Sequence, residues 1–213
     1  MSDLQTALPA NTWLKATWEN YLNAIAQPTC ENAKGYYYDG QLRIEMSPVS
    51  SDHASDHTLI AVAVNLFGIL RQIPLQGRDN CSYRRTGLQE CQPDLSYYIG
   101  DRASIIPYGT SIVDLNRYPP PDLVIEVANT SLADDWDRKR KLYQEINVTE
   151  YWVLDVQNAR ILGFAIAGGK SKRIKNSRVL PGLALSVLEE ALRRSRSTDQ
   201  SRVGAWLMAQ FQQ

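Results

Sequence analysis

The chain has 213 residues, enough for one domain that buries most of its apolar surface with no disulfide, metal or partner to prop it up. Its 23 Lys and Arg balance 23 Asp and Glu, which excludes the overall basic excess of many nucleic-acid binders and leaves any such role to local patches. Cys30, Cys81 and Cys91 fit neither a zinc spacing nor a disulfide framework, the opening MSDLQTALPANT carries no leader pattern, and no run nears eighteen apolar residues, so a cytoplasmic protein with free thiols and no membrane partner is expected.

Residues 1–11 are expected to be flexible, and residues 12–213 to form a single domain with its core at 35–185 and a helical segment at its C-terminus. Across 12–26, Trp13, Leu14, Trp18, Tyr21, Leu22 and Ile25 recur at three and four residues, the period of an amphipathic helix, with Pro28 just beyond. Asp39-Gly40, between a tyrosine run and Leu42-Arg43-Ile44-Glu45-Met46, is a strong hairpin signal. Ser50-Ser51-Asp52 offers capping oxygens to a helix reaching about Arg71, whose Leu59, Val62, Val64, Leu66, Phe67 and Leu70 imply packing against a sheet. Strands are expected at 81–86, 94–99 and 123–127, with a connection containing Pro107, Gly109 and Pro119 to Pro121 before the last of them. A helix at 132–146 precedes strands at 151–155 and 161–165, joined by a polar Gln157-Asn158 turn, then a strand near 178–180 and helices from Val187. This order suits a mixed α/β (α+β) domain with one curved mixed sheet flanked by helices.

In a strand beginning at Asp122, Leu123, Ile125 and Val127 point one way, and Val124, Glu126 and Ala128 the other. Glu126 therefore interrupts an apolar strand, and a carboxylate so placed is costly to desolvate unless it is paired or coordinates a cation. One candidate companion is Asp94, which opens a strand after Pro93 near a strand end; the alternative is an ordinary Pro-Asp turn. The other is Lys139, which on a helical wheel falls within the stripe of Trp136, Leu142, Tyr143 and Ile146, while Lys141 faces solvent. A lysine snorkelling from an apolar face is the alternative there. Two carboxylates suit Mg²⁺ or Mn²⁺, which polarises a phosphoryl oxygen and acidifies bound water, and a lysine beside them orients that water or stabilises growing negative charge.

His53 and His57, spaced i and i+4 beside Asp52 and Asp56, admit a transition-metal pair, although the HExxH glutamate is absent. Basic residues cluster at 170–178 (KSKRIKNSR), at 193–196 and at Arg84-Arg85, the last expected near the acids and able to meet phosphates. P-loop, GxGxxG and GxSxG motifs are absent, which removes several common enzyme classes.

Taken together, YYYDGQLRIEMSP with His53 following, QPDLSYYIG, PDLVIEVANTS, DWDRKRKLY running into TEYWVLD, and LPGLAL resemble the Uma-two family of restriction-endonuclease-like proteins, in the PD-(D/E)XK nuclease superfamily. The resemblance covers roughly residues 35–185. It implies a restriction-endonuclease-like fold, a nuclease acting on nucleic acid with DNA ahead of RNA, and Mg²⁺ or Mn²⁺ held by Asp94 and Glu126. The superfamily's short E-x-K triplet is broken here, since Val127-Ala128 follows Glu126, and the displaced lysine matches Lys139. The family's hairpin commonly carries Tyr-Glu before its Asp-Gly turn. Tyrosines stand there in this chain, with Glu45 the nearest substitute acid and His53 and Arg84 in secondary roles. Related folds often pair as homodimers to cut two strands, but no interface is evident in the sequence. A nuclease-fold module that binds nucleic acid or protein without turnover is the rival expectation.

Overall fold

Asp39 and Gly40 both adopt left-handed backbone, at φ 50° and 66°, the pair a two-residue hairpin turn demands. They join β2 (Lys34–Tyr38) to β3 (Gln41–Glu45), as expected. The structure, a computed structural model, describes residues 11–46, 49–128 and 135–212, and the side chains of all of these but Asp135 and Trp136. Residues 1–10 of the expected flexible stretch, Leu132 and the Trp136 side chain lie outside the described residues.

Ahead of the hairpin, the expected helix at 12–26 is shorter. Leu14–Lys15 forms β1, pairing Leu14 with Leu42, and α1 spans only Trp18–Ile25. Thr17 decides the boundary, because its side chain caps Asn20 N–H at 3.2 Å and so begins the helix there. Next come α2 (Ser51–Leu70, capped by Ser50), β4 (Leu75–Asp79), β5 (Ser82–Arg85), β6 (Gln89–Cys91), β7 (Leu95–Ile99), β8 (Ile112–Asp114) and β9 (Leu123–Ala128). A π-helical turn at Asp135–Lys139 leads into α3 (Arg140–Glu145), followed by β10 (Glu150–Asp155), β11 (Arg160–Ala167) and β12 (Lys170–Ile174). Helices α4 (Leu185–Ser195) and α5 (Gln200–Phe211) follow. The strand expected near 178–180 is absent: Arg178 and Val179 spend their N–H groups on the Glu150 carboxylate, and the strand lies earlier, at β12.

The mixed α/β class expected from the sequence is the one observed, but the single curved sheet expected is two sheets, because the hairpin strands pair with β1 and β6 and not with β9 and its neighbours. Among the described residues its twelve strands divide between two six-stranded sheets, β1-β3-β2-β6-β5-β8 and β12-β11-β10-β9-β7-β4. Strand β9 is central to the second sheet, parallel to β10 and antiparallel to β7, and all six of its residues are buried. Its alternation runs as expected. Leu123, Ile125 and Val127 join a core with Leu59, Leu188 and Leu207 of α2, α4 and α5, while Val124 and Ala128 face a second core with Tyr36 and Tyr83 of the first sheet. Glu126 shares the parity of that second face, so it points into the layer between the sheets.

Helix α2 has the length and hydropathy of a membrane-crossing segment, yet one flank packs against α5, α4 and β9. Asp56 on that flank is fully buried, and its carboxylate takes the Arg196 guanidinium at 2.6 and 2.5 Å. Arg196→Ala should cost about 3 kcal/mol, because it strands a buried charge. Urea unfolding measures the loss, and the double variant Asp56→Leu/Arg196→Met should recover most of it.

Candidate active site

Strands β7 and β9 pair Leu95 with Ile125, and the next step of that register sets Asp94 opposite Glu126. The two acids therefore leave neighbouring strands on one face, an arrangement that repels unless it is neutralised. Asp94 is 4 % exposed and Glu126 1 %. One oxygen of Asp94, Oδ2, accepts the Val127 N–H at 2.7 Å. The other, Oδ1, takes the Lys34 ammonium and lies 3.4 Å from His53 Nε2.

The first sheet supplies the opposing wall. Lys34 faces Glu45 directly across the hairpin, and Tyr36 faces Arg43 on the same side. Lys139, 1 % exposed, reaches this layer from the end of the π-helical turn. Its Nζ stands 2.9 Å from Glu45 Oε1, 3.0 Å from Glu126 Oε2 and 4.2 Å from the centre of the Tyr36 ring. Arg43 Nε donates to Glu45 Oε1 at 2.7 Å. Glu126 also accepts from the Tyr143 hydroxyl and lies 3.2 and 3.3 Å from the Tyr36 hydroxyl. Three carboxylates are thus interleaved with Lys34, Lys139 and Arg43, so their charges balance within the protein.

Burial alone would raise the Asp94 carboxyl, but the His53 contact and the Lys34 charge outweigh it and hold it well below the usual carboxylate range. Glu45 is treated alike: burial pushes it up, and Lys139 and then Arg43 bring it below its ordinary value. The Tyr143 phenol is driven far up by burial and by the Glu126 charge, so it keeps its proton as a donor. Burial and the same acid push the Cys91 thiol up, which disqualifies it as a thiolate nucleophile.

A cleft of about 410 Å³ opens onto this cluster, lined among others by Lys34, His53, His57, Asn80, Gln92 and Asp94. Glu126 and Lys139 are not in its wall. Substrate entering the cleft would meet Asp94, Lys34 and His53 before any other charged group of the cluster.

Of the residues picked from the sequence, Asp94, Glu126, Lys139, Glu45 and His53 come together. Lys141, on the same helix run, is exposed and paired with Asp137, as the wheel implied. Arg84 is the correction. Its guanidinium forks onto Glu90 at 2.6 and 3.1 Å and lies over Trp18, on the sheet face shared with Glu90 and Tyr37 and opposite that of Tyr36. Strand parity turns it away from the acids. The basic run at 170–178 begins as the edge strand β12, three strands from β9. The Nε2 atoms of His53 and His57 go to different partners, that of His53 to Asp94 Oδ1 and that of His57 to Asp79 Oδ1 and the Asp94 carbonyl. Sequence reasoning missed Lys34, Tyr36, Arg43 and Tyr143. Hairpin register was the available signal for the first three, since it sets Lys34 against Glu45 and Tyr36 against Arg43 on one face.

The carboxylates of Asp94 and Glu126, with Glu45 beside them, are the hard oxygen donors that Mg²⁺ or Mn²⁺ prefers. In donor chemistry they fit such an ion. Among the described residues, however, no group of three or more His, Cys, Asp and Glu side chains is arranged to hold a metal, and the amines already lie on the acids.

A family model described as "Uma2: Putative restriction endonuclease" matches residues 18–200. Among solved structures, that of "a putative nuclease belonging to DUF820" from Anabaena variabilis ATCC 29413 aligns with 90 % of this chain and 98 % of its own, at TM-score 0.55 and 14 % identity. At that identity the likeness speaks to the fold alone. No curated protein matches.

Proposed function

The chain belongs to the Uma2 family, and from that premise we propose that it is a cytoplasmic metal-dependent nuclease that hydrolyses phosphodiester bonds of nucleic acid, DNA ahead of RNA. One observation carries this proposal: two facing carboxylates, Asp94 and Glu126, are buried on neighbouring strands, Glu126 with Lys139 upon it and Asp94 in the wall of an open cleft. A purely structural ion pair has no use for a second acid set against the first, because like charges so placed destabilise a sheet. Here Lys34, Lys139 and Arg43 offset that repulsion, and the cleft that reaches Asp94 gives the paired acids a use.

Asp94 and Glu126 are the residues that would hold Mg²⁺ or Mn²⁺, with Glu45 completing the acidic side. A bound divalent cation supplies Lewis-acid charge to a phosphoryl oxygen and makes water a better nucleophile at neutral pH. Val127 N–H fixes one Asp94 oxygen, and the Tyr143 hydroxyl and the Lys139 ammonium fix the Glu126 carboxylate, so both acids are oriented before substrate arrives. Lys139 keeps Glu126 and Glu45 from repelling each other and puts positive charge where the attacking water is assisted. His53, in the cleft wall and 3.4 Å from Asp94, is placed to contact the phosphate ester.

Incubating the protein with supercoiled plasmid and with duplex and single-stranded oligonucleotides tests the proposal. Cleavage should require Mn²⁺ or Mg²⁺, stop in EDTA, and vanish in Asp94→Asn. The interleaved lysines, which already neutralise the acids, favour one rival: a nuclease-fold module that binds without turnover. It predicts nucleic-acid or protein binding that survives EDTA, with no cleavage under any cation.

A further inference from the structure

Asp94, the acid of the cluster that lines the cleft, carries an occupant of its own. Asp94 Oδ2 takes the Val127 N–H of β9, whereas both groups on Oδ1, Lys34 Nζ and His53 Nε2, belong to residues that line the cleft, so a cation entering through the cleft meets Oδ1 and the lysine upon it first. Lys34 lines the cleft with Asp94, whereas Lys139 does not. Its side chain retains 17 % exposure, against 2 % for Lys139, so Lys34 has room to turn outward and Lys139 has none. The backbone beneath it is fixed in β2, opposite Glu45, which limits the movement to the side chain. A lysine is a point charge on a flexible stem, suited to exchange between two anionic partners.

Resting on the nuclease proposal, we propose that Lys34 is a displaceable counter-ion at the cation position and the lysine that meets the substrate. Without a cation it holds Asp94 ionised. When Mg²⁺ or Mn²⁺ takes Asp94, repulsion between like charges drives the amine off, and it turns into the cleft to take a non-bridging oxygen of the scissile phosphate. No covalent bond forms to Lys34 and no proton leaves it; it exchanges one anion for another. Lys139 stays behind Glu126 throughout. Binding of the ion and seating of the phosphate are thereby coupled through one side chain.

The test is Mn²⁺ binding alone, followed by electron paramagnetic resonance of the free ion, on the intact protein and on Lys34→Met and Lys34→Arg. Lys34→Met should bind Mn²⁺ about tenfold more tightly, having lost the competitor, yet cleave oligonucleotide at saturating Mn²⁺ roughly 100-fold more slowly. Lys34→Arg keeps a cation on Asp94 and should bind Mn²⁺ as the parent does. Thermal unfolding without metal establishes that each variant is folded. Unchanged or weaker Mn²⁺ binding by Lys34→Met, with the parent cleaving normally, overturns the role of Lys34 and leaves the nuclease proposal intact. Full cleavage by Lys34→Met overturns it equally. A parent that neither binds Mn²⁺ nor cleaves removes both proposals together.

Discussion

Lys139→Met should abolish Mn²⁺-dependent cleavage, by about 10²–10³-fold or more, the usual loss when one buried charge-stabilising donor is removed. Methionine keeps the packing over Tyr36 and removes only the ammonium. The same change should also destabilise the fold by about 3–5 kcal/mol, because Glu45 and Glu126 are left side by side in the interior without their shared cation. Loss of activity alone is therefore ambiguous, and the two effects have to be separated.

A second substitution separates them. In Lys139→Met/Glu126→Gln one of the stranded charges is gone, so the urea midpoint should climb most of the way back while cleavage remains absent. Activity is measured at a temperature where both variants are folded. Parental cleavage rates per folded molecule in Lys139→Met would reduce Lys139 to a structural cation. Failure of the double variant to regain stability would show that the amine is not what holds the acids together.

The parts of this site that could be read from the sequence are those set by one element at a time. Strand parity placed Glu126 off the Leu123-Ile125-Val127 face, and the wheel placed Lys139 inward and Lys141 outward, because each needs only the period of its own strand or helix. Lys34 escaped because its partner is 60 residues away; hairpin register could set it on the face of Glu45, but no local pattern encodes how two sheets face each other. Arg84 was misplaced for the same reason: proximity in sequence to Asp94 says nothing about which face of β5 it occupies. The strands β6 and β8 have only three residues each, and in β4, Leu75–Asp79, the apolar alternation that announces a strand is missing. On α2, Val62 is 49 % exposed while Asp56 is buried, a reversal of the apolar pattern that only Arg196, far along the chain, explains.

Glu150→Ala should be the most damaging substitution away from the cleft, costing about 4 kcal/mol or more. The carboxylate is fully buried, and four donors converge on it: Trp152 Nε1 on one oxygen, and the Ser177 hydroxyl with the Arg178 and Val179 N–H groups on the other, at 3.0 to 3.1 Å. Each buried donor left without an acceptor costs about 1–3 kcal/mol, and alanine cannot serve any of them. Glu150→Gln should cost about half as much, because its carbonyl still serves the 177–179 cluster while its amide opposes Trp152 Nε1, donor against donor. Urea unfolding of the two variants gives the ranking. Cleavage per folded molecule should not change: Glu150 shares the face of Trp152 and Leu154 and so projects from the opposite side of the sheet to Glu126, and it lies three residues, roughly 10 Å, along β10 from Val153, which pairs with Glu126. A stable Glu150→Ala would mean that the 177–179 turn finds other acceptors, and the account of why residues 178–180 form no strand would fall with it.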